Sequence, residues 1–405
     1  MFCLVLGCTI RAFPAAAGTP ENPGNPLYPS SDPPRLASPA AVLMDAATGT
    51  VLYSAGSDLV IPPASLAKLM TIHLALRETK AGGKSLDGLV DLPPESWAEN
   101  QPPRSSLMFL GRGQKVTLGE ILLGMAVPSG NDAAVAAALY LAPDMKHFVS
   151  RMNAEAERLG MGSTRFTEPS GISAENATTA MDFALFCRAY LQEHPESLGF
   201  LHSSPLFAYP LAAHTGSIPP RTILQYNHNG LLDTGSGGVP GVDGLKTGHI
   251  REAGYNIALS AKRGETRLIA VILGSKTEGD RSRDGEALLE WGFANFKTRY
   301  FEAAPLPRIR IWGGGEKYAA LKAASAPVCT VSVYRAGEPE QAAELSTGLW
   351  APLPAGAWAG VLVIRDETGE ILRVSLVLEK EAERGTIFRR ILDRIGFFIK
   401  KLLDR

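Results

Sequence analysis

The order in which hydrophobic patterns follow one another constrains this chain more than any other feature. Residues 40–55, AAVLMDAATGTVLYSA, read as two short strands around an Asp45–Gly49 turn. After a Pro62-Pro63 break an apolar helix is predicted from about Ser65 to Thr79, and an Ala/Leu-rich helical texture runs from about 117 to 192. Strand texture returns from Gly244 onward. AGYNIALSA and TRLIAVILGS flank Lys262–Glu265 as a β-hairpin, and an amphipathic helix follows through Leu288 and Trp291. Strands, a helical block, then strands and a closing helix predict an α+β domain over 38–300, not an alternating α/β one. Past Pro305 short strands resume, and GVLVIRDETGEILRVSLVLE is a hairpin over Asp366–Gly369, so 305–382 reads as a small β domain. At 405 residues, 45% hydrophobic and 20% charged, the chain has ample material for two such cores and is neither disordered nor collagenous.

The two ends differ from the middle. MFCLVLGCTIRAFPAAAGTP opens apolar and reaches a small-residue Ala15-Ala16-Ala17 stretch, which predicts a signal peptide over 1–17 and export of the chain. Residues 18–37 carry six prolines without periodicity and read as an extended tether. At the other end, Ile387, Phe388, Ile391, Leu392, Ile395, Phe398, Ile399, Leu402 and Leu403 recur at helical spacing, with Phe397 off the stripe. Seven basic residues against Asp393 and Asp404 give 384–405 a net charge of +5. A basic amphipathic helix of this kind is built to lie on an anionic membrane surface. The whole-chain net charge of −1 therefore hides a body at −6. That body lacks the basic surface of a nucleic-acid binder. No run reaches the roughly 18–20 apolar residues that a spanning helix needs. Four cysteines, at 3, 8, 187 and 329, and seven histidines show no metal-ligand spacing, so neither a metal nor another cofactor is expected. Cys187 and Cys329 read as a pair of buried thiols, with a disulfide between them as the alternative.

Three constellations carry chemistry: Ser65-Leu66-Ala67-Lys68, Ser129-Gly130-Asn131 and Lys246-Thr247-Gly248. Singly each has an ordinary explanation. Ser65 could be a helix N-cap, Ser129-Gly130-Asn131 a turn, and Gly244–Thr247 a fragment of a phosphate loop. The last fails because Leu245 separates glycine from lysine and a hairpin follows instead of a helix. Together, in this order, they make sense as one site. Spacing of three residues puts Ser65 and Lys68 on one face of a helix's first turn. There the lysine can take the serine proton without a histidine, and free N–H groups can face an oxyanion.

With Pro128 before Ser129, GVDGLKTGH, Ala253-Gly254-Tyr255-Asn256 and LLEWGF at 288–293, this set resembles the serine-type D-alanyl-D-alanine carboxypeptidases, the low-molecular-weight penicillin-binding proteins of peptidase family S11, over about 38–405. The resemblance implies a β-lactamase/transpeptidase-like fold: an antiparallel sheet flanked by helices, plus a helical subdomain. It implies Ser65 as nucleophile, Lys68 as base and Ser129 as proton shuttle. Asn131 would hold the substrate amide, and Lys246 and Thr247 would meet the substrate's terminal carboxylate. Gly248 completes that motif, and the Ser65 and His249 amides would form the oxyanion hole. An arginine near the carboxylate would be Arg281, with Arg283 the fallback. Ser170 stands where some relatives have histidine, and His228 where the family has arginine between two asparagines.

The implied partners are peptidoglycan stem peptides ending in D-Ala-D-Ala, β-lactams as covalent inhibitors, and an anionic membrane. The implied place is the periplasm, on the outer face of the cytoplasmic membrane. The rival readings are a D,D-endopeptidase, a serine β-lactamase, for which Ser-Asp-Asn would be expected at 129–131, and a catalytically silent wall-binding scaffold.

Overall fold

The computed structural model describes residue 27 and residues 29–215, 222–302, 304–335 and 337–403. The expectations for 1–17, for half of the tether, and for Cys3 and Cys8 fall outside these residues.

Two strands, β1 (Ala40–Asp45) and β2 (Val51–Ala55), join three from the distant hairpin region, β3 (Val242–Ile250), β4 (Gly254–Arg263) and β5 (Thr266–Ser275). The resulting antiparallel sheet has the order β2-β1-β5-β4-β3. The alternation of β5 explains its central place. Ile269, Val271 and Leu273 point into one core, and Leu268, Ala270 and Ile272 into a second on the opposite face. A strand buried on both faces reads as a continuous apolar run, as here. β1 divides likewise, Val42 and Met44 to one side, Ala41 and Leu43 to the other.

The first core is filled by α1 (Ala67–Lys80), α2 (Leu118–Ala126), α3 (Asn131–Leu141), α4 (Met145–Arg158) and α5 (Ala180–Glu193). The helical texture read through to 192 is interrupted. Residues 159–179 form a non-helical connection that passes beside the start of α1. The second core lies under α6 (Glu278–Asn295), which Thr277 caps through the amide of Asp280.

The next strand, β6 (Phe296–Tyr300), pairs with β8 (Val328–Ser332). Between them β7 (Leu321–Ala323) begins a second sheet with β9 (Glu340–Leu345), β10 (Trp358–Asp366) and β11 (Gly369–Leu378), in the order β7-β11-β10-β9. This all-β region has its own core around Val331, Leu362, Ile364 and Leu376. Pairing with β8 makes residues 296–300 part of this β structure, ahead of Pro305. Buried Asp45, at the end of β1, accepts hydrogen bonds from Thr298 (2.7 Å) and Thr330 (2.9 Å), keying the β6–β8 pair to the first sheet.

The last helix, α7 (Ile387–Leu403), docks on the β region by its charged side. Asp393 is buried, pairs with Arg310 and accepts the Gly313 amide at 2.7 Å. Phe397, one turn on, meets Trp312 and Trp350 edge to face at 5.1 and 5.4 Å. The phenylalanine that fell off the apolar stripe is thus the docking residue. The stripe itself faces outward, from Phe388, 75% exposed, to Leu403, 80% exposed.

Candidate active site

Pro62 and Pro63 force an abrupt entry to α1. The chain makes a single 3-10 turn, Ala64–Leu66, in which Ala64 has φ +51°. A left-handed residue with a Cβ costs about 1–2 kcal/mol and persists only where its surroundings impose it. Here two glycines hem it in. A Cβ on Gly171 (φ +82°) would lie 1.7 Å from the Ala64 carbonyl oxygen, and one on Gly248 would lie 3.0 Å from the Ser65 amide nitrogen. No side chain caps either helical segment. The Ser65 hydroxyl is therefore not spent as an N-cap.

It faces Lys68 instead. The Lys68 amine, fully buried, lies 2.9 Å from Ser65 Oγ, 2.7 Å from Asn131 Oδ1 and 2.6 Å from the Ser170 carbonyl oxygen. Two of these partners, an amide oxygen and a carbonyl oxygen, can only accept. They fix two N–H bonds, so the third direction of the nitrogen points at the serine hydroxyl. In the neutral amine that direction is the lone pair. Burial pushes the Lys68 pKa down to about 7, with Glu168 and Asp132 acting in the opposite sense. The nitrogen is thus poised to accept a proton near neutrality.

Ser129 stands at φ +63° just before α3, is 2% exposed, and its Oγ makes no hydrogen bond among the described residues. The turn is held by backbone and carboxylate. The Asn131 amide donates to the Ser106 carbonyl at 2.8 Å, and buried Asp132 accepts from the amides of Met108, Phe109 and Leu110 at 2.7–3.0 Å. Asp132 follows the motif directly, yet its role in fixing this turn has no spacing signature.

On the other wall β3 brings Lys246 and Thr247, both buried, and Gly248, against the Ser65 turn. Lys246 donates to the Thr247 carbonyl at 3.2 Å. Burial, then the positive Lys68 and Arg281, hold its pKa well below the usual lysine value. Arg281 sits in the first turn of α6, 3% exposed, ion-paired with Glu278 at 2.8 Å and 6.0 Å from the Tyr255 ring centroid. Its Nε makes no hydrogen bond among the described residues. Arg283 points outward and pairs with Asp280. Two residues along a helix are nearly opposite, so only one of the pair can face the cleft. His249 is exposed, its ring stacked on Tyr255 at 4.1 Å.

Two buried cations, Lys246 and Arg281, one of them with an unsatisfied guanidinium N–H, are chemically suited to receive an anion such as a carboxylate. A separate buried cluster behind α1 joins His73 to Glu155 (2.8 Å) and to His194 (3.0 Å). Its carboxylates Glu155 and Glu193 are already met by Arg77 and Arg158. Cys187 and Cys329 are both free and buried.

A serine paired with a lysine at the start of a helix, under the edge strand of an antiparallel sheet, defines the serine hydrolases that use lysine where others use histidine. The chain belongs to peptidase family S11. The family model, described as D-alanyl-D-alanine carboxypeptidase, matches residues 28–277. D-alanyl-D-alanine carboxypeptidase DacC of Escherichia coli is 32% identical over 374 residues, which cover 89% of this chain and 88% of that protein. Penicillin binding protein 5 from Haemophilus influenzae superposes with a TM-score of 0.77 at 30% identity, over 88% of this chain and all of the other. Penicillin-Binding Protein D2 from Listeria monocytogenes, solved in an ampicillin-bound form, is 31% identical with a TM-score of 0.54, over 64% of this chain and 98% of that one.

Proposed function

We propose that this chain is a serine D,D-carboxypeptidase that removes the terminal D-Ala from peptidoglycan stem peptides through an acyl-enzyme on Ser65. The observation that carries this reading is the Lys68 amine, its other two directions occupied, 2.9 Å from Ser65 Oγ. Lys68 takes the hydroxyl proton as Oγ bonds to the penultimate D-Ala carbonyl carbon. The oxyanion is met by the amides of Ser65 and His249, and the missing Cβ of Gly248 leaves it room. Collapse breaks the C–N bond, and the proton passes from Lys68 through Ser129 Oγ to the departing D-Ala nitrogen. Water then attacks the ester with the same groups acting in reverse. Asn131 orients the peptide amide, while Thr247, Lys246 and Arg281 receive the terminal carboxylate. That receptor is the reason for a carboxypeptidase: it demands a free chain end.

A β-lactam presents a carboxylate and a strained amide to the same groups, and the ampicillin-bound Listeria relative supports covalent inhibition here. In our reading the enzyme works in the periplasm, with residues 384–405 resting on the outer face of the cytoplasmic membrane. The outward apolar stripe of α7 and its basic surplus support that placement.

Incubation with a pentapeptide ending in D-Ala-D-Ala should release free D-Ala, and labelled penicillin should mark Ser65. No release together with no adduct refutes the enzyme. Deleting 384–405 should abolish sedimentation with anionic liposomes, and unchanged binding refutes the foot.

A further inference from the structure

The segment 168–176 is organised around one carboxylate that the mechanism above does not use. Glu168 accepts from the Ser170 amide (2.7 Å) and hydroxyl (2.6 Å) on one oxygen. On the other it accepts from the Gly171 amide (2.6 Å) and Asn176 Nδ2 (2.6 Å). Asn176, 1% exposed, closes the loop by accepting the Thr167 amide at 2.7 Å. Three consecutive residues of this loop then touch the nucleophile's helix. The Pro169 carbonyl accepts from Thr71 (2.9 Å), the Ser170 carbonyl accepts from Lys68 (2.6 Å), and Gly171 lies against the Ala64 carbonyl.

We propose that Glu168 is a positioning residue for the catalytic base: it folds the 168–176 loop so that the Ser170 carbonyl takes one Lys68 N–H and leaves the nitrogen's remaining direction aimed at Ser65. The inference rests on the acyl-enzyme reading above. It assigns Glu168 no proton transfer, because both of its oxygens are already filled by donors of its own loop. A second consequence is electrostatic. Lys68 is faced by Glu168 from the loop, Asp132 from α3 and Lys246 from β3, with His228 further along the cleft. Glu168 is the larger of the two negative influences on it. Removing that charge makes Lys68 easier to deprotonate while loosening the carbonyl that aims it.

The test uses the full chain carrying Glu168→Gln, with Asn176→Ala as a variant that loosens the loop and keeps the charge. D-Ala release from a synthetic tripeptide ending in D-Ala-D-Ala, and acylation by a fluorescent penicillin, are measured from pH 5 to 10. For Glu168→Gln we expect kcat to fall by about 10- to 100-fold with KM little changed. The midpoint of the acid limb should move to lower pH by about half to one unit. Asn176→Ala should lose rate with the limb unmoved. A folded Glu168→Gln enzyme with the wild-type rate, or with a loss of rate and an unmoved limb, overturns the proposal. If Glu168→Gln does not fold, Glu168→Asp decides: it keeps the charge but shortens the reach, so a wild-type kcat overturns the positioning role. Absence of D-Ala release by the wild type is a different failure, and it falls on the proposed function.

Discussion

Substituting Gly171 by alanine tests the closest approach to any glycine among the described residues. The new methyl would lie 1.7 Å from the Ala64 carbonyl oxygen, 2.3 Å from its carbon and 2.9 Å from the Ser65 nitrogen. All three are backbone atoms, so no side chain can swing aside. Restoring even a 3.0 Å contact requires loop and turn to part by about 1.3 Å. That displacement acts on the residue bearing the nucleophile and on the amide offered to the oxyanion. Misplacement of a reacting group by about 1 Å costs on the order of 100-fold in rate. The left-handed φ of +82° adds about 1–2 kcal/mol of backbone strain, or several degrees in Tm. The assay is the rate of Ser65 acylation by a fluorescent penicillin, with thermal melting alongside. Gly162→Ala is the control, because its Cβ would meet nothing within 4 Å. If Gly171→Ala acylates within twofold of Gly162→Ala, the packing argument for the nucleophile turn is wrong.

Other outcomes follow from the same geometry. Because burial brings the Lys68 pKa down to about 7, kcat/KM should rise with pH through that region as the ammonium loses its proton. Lys68→Arg, which stays protonated, should lose about 100- to 10,000-fold at every pH, and a flat wild-type profile would exclude lysine as the base. Phe397→Ala should release α7 from Trp312 and Trp350, shifting tryptophan emission and raising hydrogen exchange across 387–403, while D-Ala release stays at the wild-type rate. Unchanged protection would mean that the helix is held elsewhere. Burial pushes the Cys329 thiol up to about 11 and Cys187 higher still, so peptide mapping should find both unmodified by a thiol reagent until the protein is denatured.

Much of this molecule was legible in its sequence because the relevant signals are periodic or local. The double-sided burial of β5 follows from an apolar run bounded by turns, and the Ser65–Lys68 pair from i, i+3 geometry. Other parts were illegible for identifiable reasons. Ser170 contributes a backbone carbonyl, and any residue has one, so no side chain marks its contact with a lysine 102 positions earlier. Glu168 binds its own near neighbours, a pattern indistinguishable in sequence from an ordinary polar turn. It also sits inside a stretch whose composition suggested helix. Arg281 stood ahead of Arg283 only through the family resemblance, since the packing of α6 is what decides which one turns inward. Phe397 contradicted a one-face description of α7 because that helix has two faces with separate tasks: Asp393 and Phe397 grip the β region, and the stripe looks away.

The nucleophile turn is completed from two sides. Gly171 arrives from the connection between α4 and α5, Gly248 from the edge strand of the sheet, and each packs directly against the Ala64–Ser65 backbone. Ser65 is therefore a coincidence detector for assembly. A chain with its helices packed but β3 undocked, or the reverse, holds the same serine and lysine without the reactive geometry. Penicillin labelling of this protein should accordingly report completed tertiary structure, vanishing together with the cooperative unfolding transition. A freshly made chain should acquire its acylating power in a single step, late, when its two halves close on one another.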